Sequence, residues 1–333
     1  MKKFLLLLFP VLAFALSAAS VAEDKLAAAE KGDAKAQYNL GLCYANGYGV
    51  KKDFKQAIYW FRKAADQGHA QAQYNLGLCY YKGDGVAQDF KQAVYWYRKA
   101  ADQGIAEAQF NLGVCYAKGY GVAKDLKQAV YWYRKAADQG FAQAQCNLGV
   151  CYEKGNGVAQ DFKQAVYWYR KVADQGLAEA QFNLGWCYEC GYGVDKDLQQ
   201  AVNWYRKAAE QGFAQAQHNL GVCCYKGEGV DKDLEQAVYW WRKAADQGLA
   251  EAQLILSACY YNGAGVEKDL KQAVSWCRKA ADQGLAEAQF NLGVCYHIGV
   301  GVEKDLKQAL YWLRKAADQG HENAKKALKA LGY

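Results

Sequence analysis

The stretch Asn39–Val50, NLGLCYANGYGV, places a cysteine at the end of an apolar run and a Gly-x-Gly loop directly after it. Two chemistries use such parts. A thiolate nucleophile needs a base within hydrogen-bonding reach and a third group that orients the base. A phosphate-cradling glycine loop follows a strand and opens a helix. Neither requirement is met. The chain holds four histidines, and none returns at a fixed spacing from the cysteine. A thiol near a helix C-terminus also sees the negative end of the dipole, which disfavours the thiolate. The run before the glycines has helical spacing, so the loop reads as a helix stop, with glycine taking up left-handed backbone.

The other candidates for chemistry are equally thin. Eight of the twelve cysteines form one series, at 43, 79, 115, 151, 187, 223, 259 and 295. Equivalent atoms of stacked helical units lie roughly 8–10 Å apart, whereas a disulfide needs Cα atoms within about 7 Å. The series therefore cannot staple itself and reads as small buried apolar groups. Cys187 and Cys190 form a Cys-x-x-Cys pair, with Cys223 and Cys224 further on. Together they have the composition of a four-thiolate zinc set, but Cys187 and Cys223 belong to the core series and the redox helix-start position is absent. A metal is not expected, nor any cofactor, and a local disulfide is an open alternative. Cys146 and Cys277 replace aromatic residues and stand alone. After residue 22 only Ser257 and Ser275 remain as serines, with no threonine, and neither begins a Ser-x-x-Lys motif. Acyl-enzyme chemistry of that kind has no residues to run on.

The elements that position these residues form an array. The opening stretch recurs every 36 residues, in eight copies from Asp33 to Gly320 without insertion or deletion. Each copy reads as two helices. The first covers about 34–45 and ends at Gly47 and Gly49. The second opens at Asp53 with Gln56 three residues on, a capping-box pattern, and ends at Gly68. Residues 1–22 read as a signal peptide: Lys2 and Lys3, an apolar core, then small residues up to Ala22. The expected organisation is a signal peptide at 1–22, an N-terminal half-repeat cap at 23–32, repeats at 33–320 and a C-terminal capping helix at 321–333, since stacked units need capped ends. The expected location is the periplasm or outside the cell, with no membrane insertion after cleavage. The first 22 residues carry two lysines of the formal +7. Positive and negative residues interleave elsewhere, so nucleic acid is a poor partner.

The run AEAQFNLGVCY…GVxKDLKQAVYWYRKAADQG resembles the Sel-1-like repeat family, relatives of tetratricopeptide repeats, over essentially the whole chain after residue 22. The resemblance implies an all-α fold, a right-handed α/α superhelical solenoid whose first helices line a concave surface. It also implies an adaptor that binds protein. Cysteine-rich exported members have been described as β-lactamases or penicillin binders. Their branch carries a cysteine pair eight residues apart, where this chain has Ala65 and Gln73.

On a helical wheel of the first helix, Ala36, Leu40, Cys43 and Tyr44 fall on one side and hardly vary between copies. Positions 35, 38, 39, 42, 45 and 46 fall on the other and vary, apart from position 39. There asparagine recurs as Asn39, Asn75, Asn111, Asn147, Asn183, Asn219 and Asn291, interrupted by Ile255. An amide is both donor and acceptor, so one per repeat could grip the backbone of an extended peptide. The competing reading is a local helix-to-helix hydrogen bond. Tyr81, Trp186, Tyr225 and Tyr261 are the variable neighbours expected to select side chains. On the second helix, Trp60 and its equivalents read as core, position 59 as partly wet, and Arg62-Lys63 as a solvated convex face. The expected function is a non-catalytic, monomeric scaffold for protein or extended peptide. The alternatives are a β-lactamase-like hydrolase and a structural envelope spacer.

Overall fold

The computed structural model describes residues 26–333; the signal-peptide reading of residues 1–22 lies outside them. All regular structure among the described residues is helical. The chain divides into two compact units, Met1–Trp168 and Tyr169–Tyr333, and the boundary falls inside the helix Phe162–Ala173.

In the first unit, a short helix at 26–30 precedes the pairs Ala34–Asn46 with Phe54–Asp66, Ala70–Lys82 with Phe90–Asp102, and Ala106–Lys118 with Leu126–Asp138. The helix Ala142–Lys154 and the start of Phe162–Ala173 complete it. The second unit continues with Ala178–Cys190 and Leu198–Glu210, Ala214–Lys226 and Leu234–Asp246, Ala250–Asn262 and Leu270–Asp282, Ala286–Ile298 and Leu306–Asp318, and it closes with Glu322–Ala330. Each unit stacks helix pairs as an α/α solenoid does.

The local signals account for the pairs. Asp53 is extended, and its carboxylate accepts the backbone amides of Lys55 and Gln56, which ties up donors the helix start would leave bare. The first helix stops where Gly47 turns left-handed (φ 78°) and its amide returns to the Cys43 carbonyl. Gly85 has a second duty: a Cβ there would stand 2.6 Å from the backbone of Phe54 in the preceding repeat. The second helix buries Ala57, Ile58, Trp60, Phe61, Ala64 and Ala65, one stripe at helical spacing. Leu40 and Leu76, on the first helices that flank it, are buried at 0–1% exposure. Each such leucine contributes roughly 1.5–3 kcal/mol by leaving water.

One buried polar row runs through this core. Gln73 Nε2 donates to the Ala65 carbonyl of the preceding second helix (3.1 Å), and Gln109 does the same to Ala101 (3.0 Å). Their own Oε1 atoms accept from Gln103 (2.7 Å) and Gln139 (2.8 Å). In the second unit Gln217, Gln253 and Gln289 repeat the pattern with Ala209, Ala245 and Ala281. These side chains are about 3–5% exposed, so each bond replaces water at a buried carbonyl. The first-helix wheel assigned position 37 to neither face; the structure makes it the polar seam between repeats.

At the far end, Ala324 is buried in a cluster with Leu313 and Ala316, and Leu328 packs on that cluster. The helix Glu322–Ala330 therefore covers the last repeat.

Candidate functional site

The face made by positions 38, 39, 42, 45 and 46 of the first helices is where the sequence places a ligand. Position 46 is exposed in every copy, but position 39 is half-buried throughout and position 38 is half-buried or buried. The wheel turned position 38 outward. The structure instead tucks it between the ring of its own second helix and the residue that opens the next repeat. Tyr38 stacks on His69 at 4.7 Å and meets Phe61 at 6.0 Å, while Phe110 meets Phe141 at 5.2 Å and Tyr133 at 5.8 Å. The wheel fails here because it rotates one helix in isolation, and the second helix's ring rises beside it.

That ring explains an otherwise costly glycine. Position 41 is glycine wherever position 61 carries an aromatic side chain. A Cβ at Gly41, Gly77 or Gly113 would stand 2.6–2.7 Å from the ring of Phe61, Tyr97 or Tyr133. Glycine weakens a helix interior by about 1 kcal/mol relative to alanine, so the close approach of ring to backbone is what keeps it there.

The asparagines sit at the far ends of these rings. Asn111 lies within hydrogen-bonding reach of the Tyr97 hydroxyl and of Tyr74, Asn147 of Tyr133, and Asn75 of Tyr38. In the second unit Asn219 reaches Tyr205, whose hydroxyl also donates to Glu189 (2.5 Å). Burial pushes the ionisation of Tyr97, Tyr133 and Tyr205 upward, so these phenols stay neutral donors. An amide can make four hydrogen bonds, and these contacts leave capacity over. Asn39 and Asn183 are half-buried at the same position of their helices. Of the selecting residues, Tyr81 is half-buried and meets Phe90 at 5.4 Å, while Trp186 packs edge-on against Tyr192 at 5.1 Å. Tyr225 and Tyr261 are exposed, each with a lysine over its ring.

The cysteine series is buried. Cys43, Cys79, Cys115, Cys151, Cys223 and Cys259 are free thiols at no more than 9% exposure, and Cys295 is half-buried. Burial pushes Cys79, Cys151 and Cys259 up to about 11, and Cys115 and Cys223 up to about 12. Such thiols are not nucleophiles near neutral pH. Cys190 is exposed and Cys224 buried. Among the described residues no group of three or more His, Cys, Asp or Glu side chains could hold a metal ion, and no helix is long and apolar enough to cross a membrane.

The opposite face differs from its reading as a plain solvated surface. Arg62 is exposed, yet its guanidinium donates to the Tyr80 hydroxyl of the next repeat and lies over that ring. Arg98 with Tyr116 and Arg134 with Tyr152 repeat the strut. Lys63 covers Tyr59 at 4.7 Å and Trp60 at 5.3 Å. Cys224 stands where the other copies have tyrosine, so Arg206 loses that partner.

The Sel1 repeat family model matches eight consecutive segments, at 34–69, 70–105, 106–141, 142–177, 178–213, 214–249, 250–285 and 286–321. The chain belongs to the Sel1 repeat family. Among solved structures it is similar to c5321 of Escherichia coli, described as a protective antigen present in uropathogenic strains and displaying an SLR fold. That match has 41% identity and a TM-score of 0.81, covering 93% of this chain and 67% of that one. A Sel1 repeat protein from Oxalobacter formigenes is 35% identical with a TM-score of 0.77, covering 97% of this chain and 94% of that one. No curated protein matches. The Sel1 repeat resemblance seen in the sequence, and the all-helical repeat architecture it implied, are thus established.

Proposed function

We propose that this Sel1 repeat chain is a non-catalytic scaffold that holds an extended segment of another protein along its first-helix face, in the periplasm or outside the cell. The observation that carries the reading is the half-buried asparagine row. Asn75, Asn111 and Asn147 each stand once per repeat beside side chains that change from copy to copy, while the core positions beneath stay fixed. Their amides retain donors and acceptors beyond the tyrosine hydroxyls. A row with the repeat's own spacing suits main-chain groups, and the changing neighbours suit side-chain selection.

Three further points support it. Of the twelve thiols only Cys190 is exposed, and the chain after residue 22 has two serines and no threonine, which leaves a hydrolase little to work with. The leading residues have the order of an export signal. The similar Escherichia coli protein is described as a protective antigen, which suits a protein met outside the cytoplasm.

The test separates the two uses of the amides. Peptides selected on the purified chain from a random library are titrated against Asn75→Ala/Asn111→Ala/Asn147→Ala and against Tyr38→Phe/Tyr97→Phe/Tyr133→Phe. At 0.5–1.5 kcal/mol per net hydrogen bond, the asparagine variant loses one to three orders of magnitude of affinity, on that same estimate. The phenylalanine variant keeps its affinity, since it removes only the internal partners. Normal binding by the asparagine variant, with loss in an Arg62→Ala/Arg98→Ala/Arg134→Ala variant, would put the working surface on the other face.

A further inference from the structure

Two repeats of the second unit lack the ring at position 61: the eighth keeps Gly293 with Leu313 close against it, and the seventh loses both the ring and the glycine. Position 61 is aromatic in six copies: Phe61, Tyr97, Tyr133, Tyr169, Tyr205 and Trp241. In the seventh it is Cys277, and there alone position 41 is not glycine but Ser257. The two changes are one event. Without a ring, a Cβ at position 41 no longer collides, so serine fits, and Ser257 hydrogen-bonds with the Cys277 thiol. The thiol itself donates to the Ala288 carbonyl at 3.3 Å. The same repeat also breaks the asparagine row with Ile255 and carries the smallest residue of its position, Ala258.

The missing ring leaves a hollow. A cavity of about 520 Å³ opens there, with Cys277 and Ser257 in its wall, Tyr261, Ile255 and Phe290 beside them, and Asn291 at its edge. Cys277 is 2% exposed and lies deep; Asn291 is half-buried on the first-helix face. In the regular copies Asn111, Asn147 and Asn219 mark the end of the ring furthest from its own backbone. Asn291 occupies that place, but no hydroxyl reaches it from residue 277. A group arriving from outside therefore enters past Asn291 and stops on Ser257 and Cys277.

From this geometry we infer that the cavity is a binding site for an aromatic side chain of the polypeptide held on the first-helix face, with Asn291 hydrogen-bonded to the main chain at its mouth. The occupant is read from the molecule itself: the seventh repeat has surrendered the ring that six others carry, while the next repeat keeps Phe290 and Asn291 beside the space it leaves. The walls are mostly apolar, as a side-chain pocket requires, with a few polar groups to fix direction. The inference rests on the proposed reading of this face and adds the chemistry of one anchor.

The test uses N-acetyl-L-phenylalaninamide and N-acetyl-L-leucinamide as probes of the whole protein, followed by NMR. The expected result is saturable shifts confined to residues around Ser257, Cys277 and Asn291, with the aromatic amide binding more tightly. Ser257→Gly/Cys277→Tyr rebuilds the regular repeat. It should fold, because six copies already use that arrangement, and it should lower affinity for the aromatic amide at least about tenfold by refilling the site. Asn291→Ala should weaken the aromatic amide by about two- to tenfold, the range of one net hydrogen bond. Unchanged binding by the rebuilt protein, or equal binding of the two amides, overturns the inference. The asparagines tested for the proposed function lie in the other unit. Loss of that reading with the rebuilt protein still losing the probe would leave the aromatic site standing.

Discussion

The coupling of Gly113 to Tyr133 predicts a mutation whose effect changes sign with its neighbour. Gly113→Ala adds a Cβ that would stand 2.7 Å from Cδ1 and Cε1 of the Tyr133 ring and 3.2 Å from the Ala129 carbonyl oxygen. Tyr133 is 4% exposed and has no free direction to retreat. Overpacking of this kind costs about 1–3 kcal/mol. Replacing glycine by alanine inside a helix returns about 1 kcal/mol. The expected net effect in the wild-type background is destabilisation of up to about 2 kcal/mol. In a Tyr133→Cys background the ring contacts vanish and only the carbonyl remains close, as at Ser257 and Cys277 in the seventh repeat. There the helix term should dominate, and Gly113→Ala should be neutral or stabilising by up to about 1 kcal/mol. A double-mutant cycle by urea unfolding, monitored by circular dichroism, measures the coupling; at least about 1 kcal/mol is expected for groups in direct contact. Equal effects of Gly113→Ala in both backgrounds would refute the claim that the ring holds the glycine in place.

Gln109→Leu should destabilise by about 0.5–1.5 kcal/mol, because it removes the buried bond to the Ala101 carbonyl, which keeps only its bond from the Gly104 amide, and frees the exposed Gln139 amide to water; urea midpoints compare it with an exposed control such as Gln128→Leu. Thiol labelling of the native protein near pH 8 should modify Cys190 rapidly and the buried series slowly, counted by mass spectrometry. The raised thiols also set an alkaline limit. Folded-state values above a thiol's ordinary value of about 9 give stability that is complete below about 9 and drains as pH rises to the folded values of about 11–12. Stability measured from pH 8 to 11 should therefore fall, and substituting Cys79 and Cys115 by alanine should flatten that fall. Removing His321–Tyr333 should lower the melting temperature and promote aggregation, since it uncovers Leu313 and Ala316.

Much of the fold could be read from residue types whose physical demands are local. Asp53 at a helix start and Gly47 at a helix stop carry their geometry within a few residues, so the helix limits were within reach: Ala34–Asn46 against an expected 34–45. Trp60 and Leu40 declared themselves by apolar spacing. What stayed hidden depends on contacts between helices. Gln37 and Gln67 recur in all eight copies, but a glutamine gives no sign of being buried until the Ala65-type carbonyl it satisfies is in place. Arg62 looked solvated because its tyrosine lies 18 residues away. Position 38 looked outward because the ring beside it belongs to another helix. The one signal available was covariation inside the chain: Ser257 with Cys277, against glycine with an aromatic ring in six other copies.

The measurement that bears most directly on a polypeptide-binding first-helix face is hydrogen exchange of the chain with and without a library-selected peptide, resolved by fragment. Exchange should slow in first helices such as Ala70–Lys82, Ala106–Lys118 and Ala142–Lys154, with the second helices unchanged, and that protection should be lost in the Asn75→Ala/Asn111→Ala/Asn147→Ala variant. Protection centred on the second helices around Tyr59, Arg62 and Lys63, retained in that variant, would contradict it.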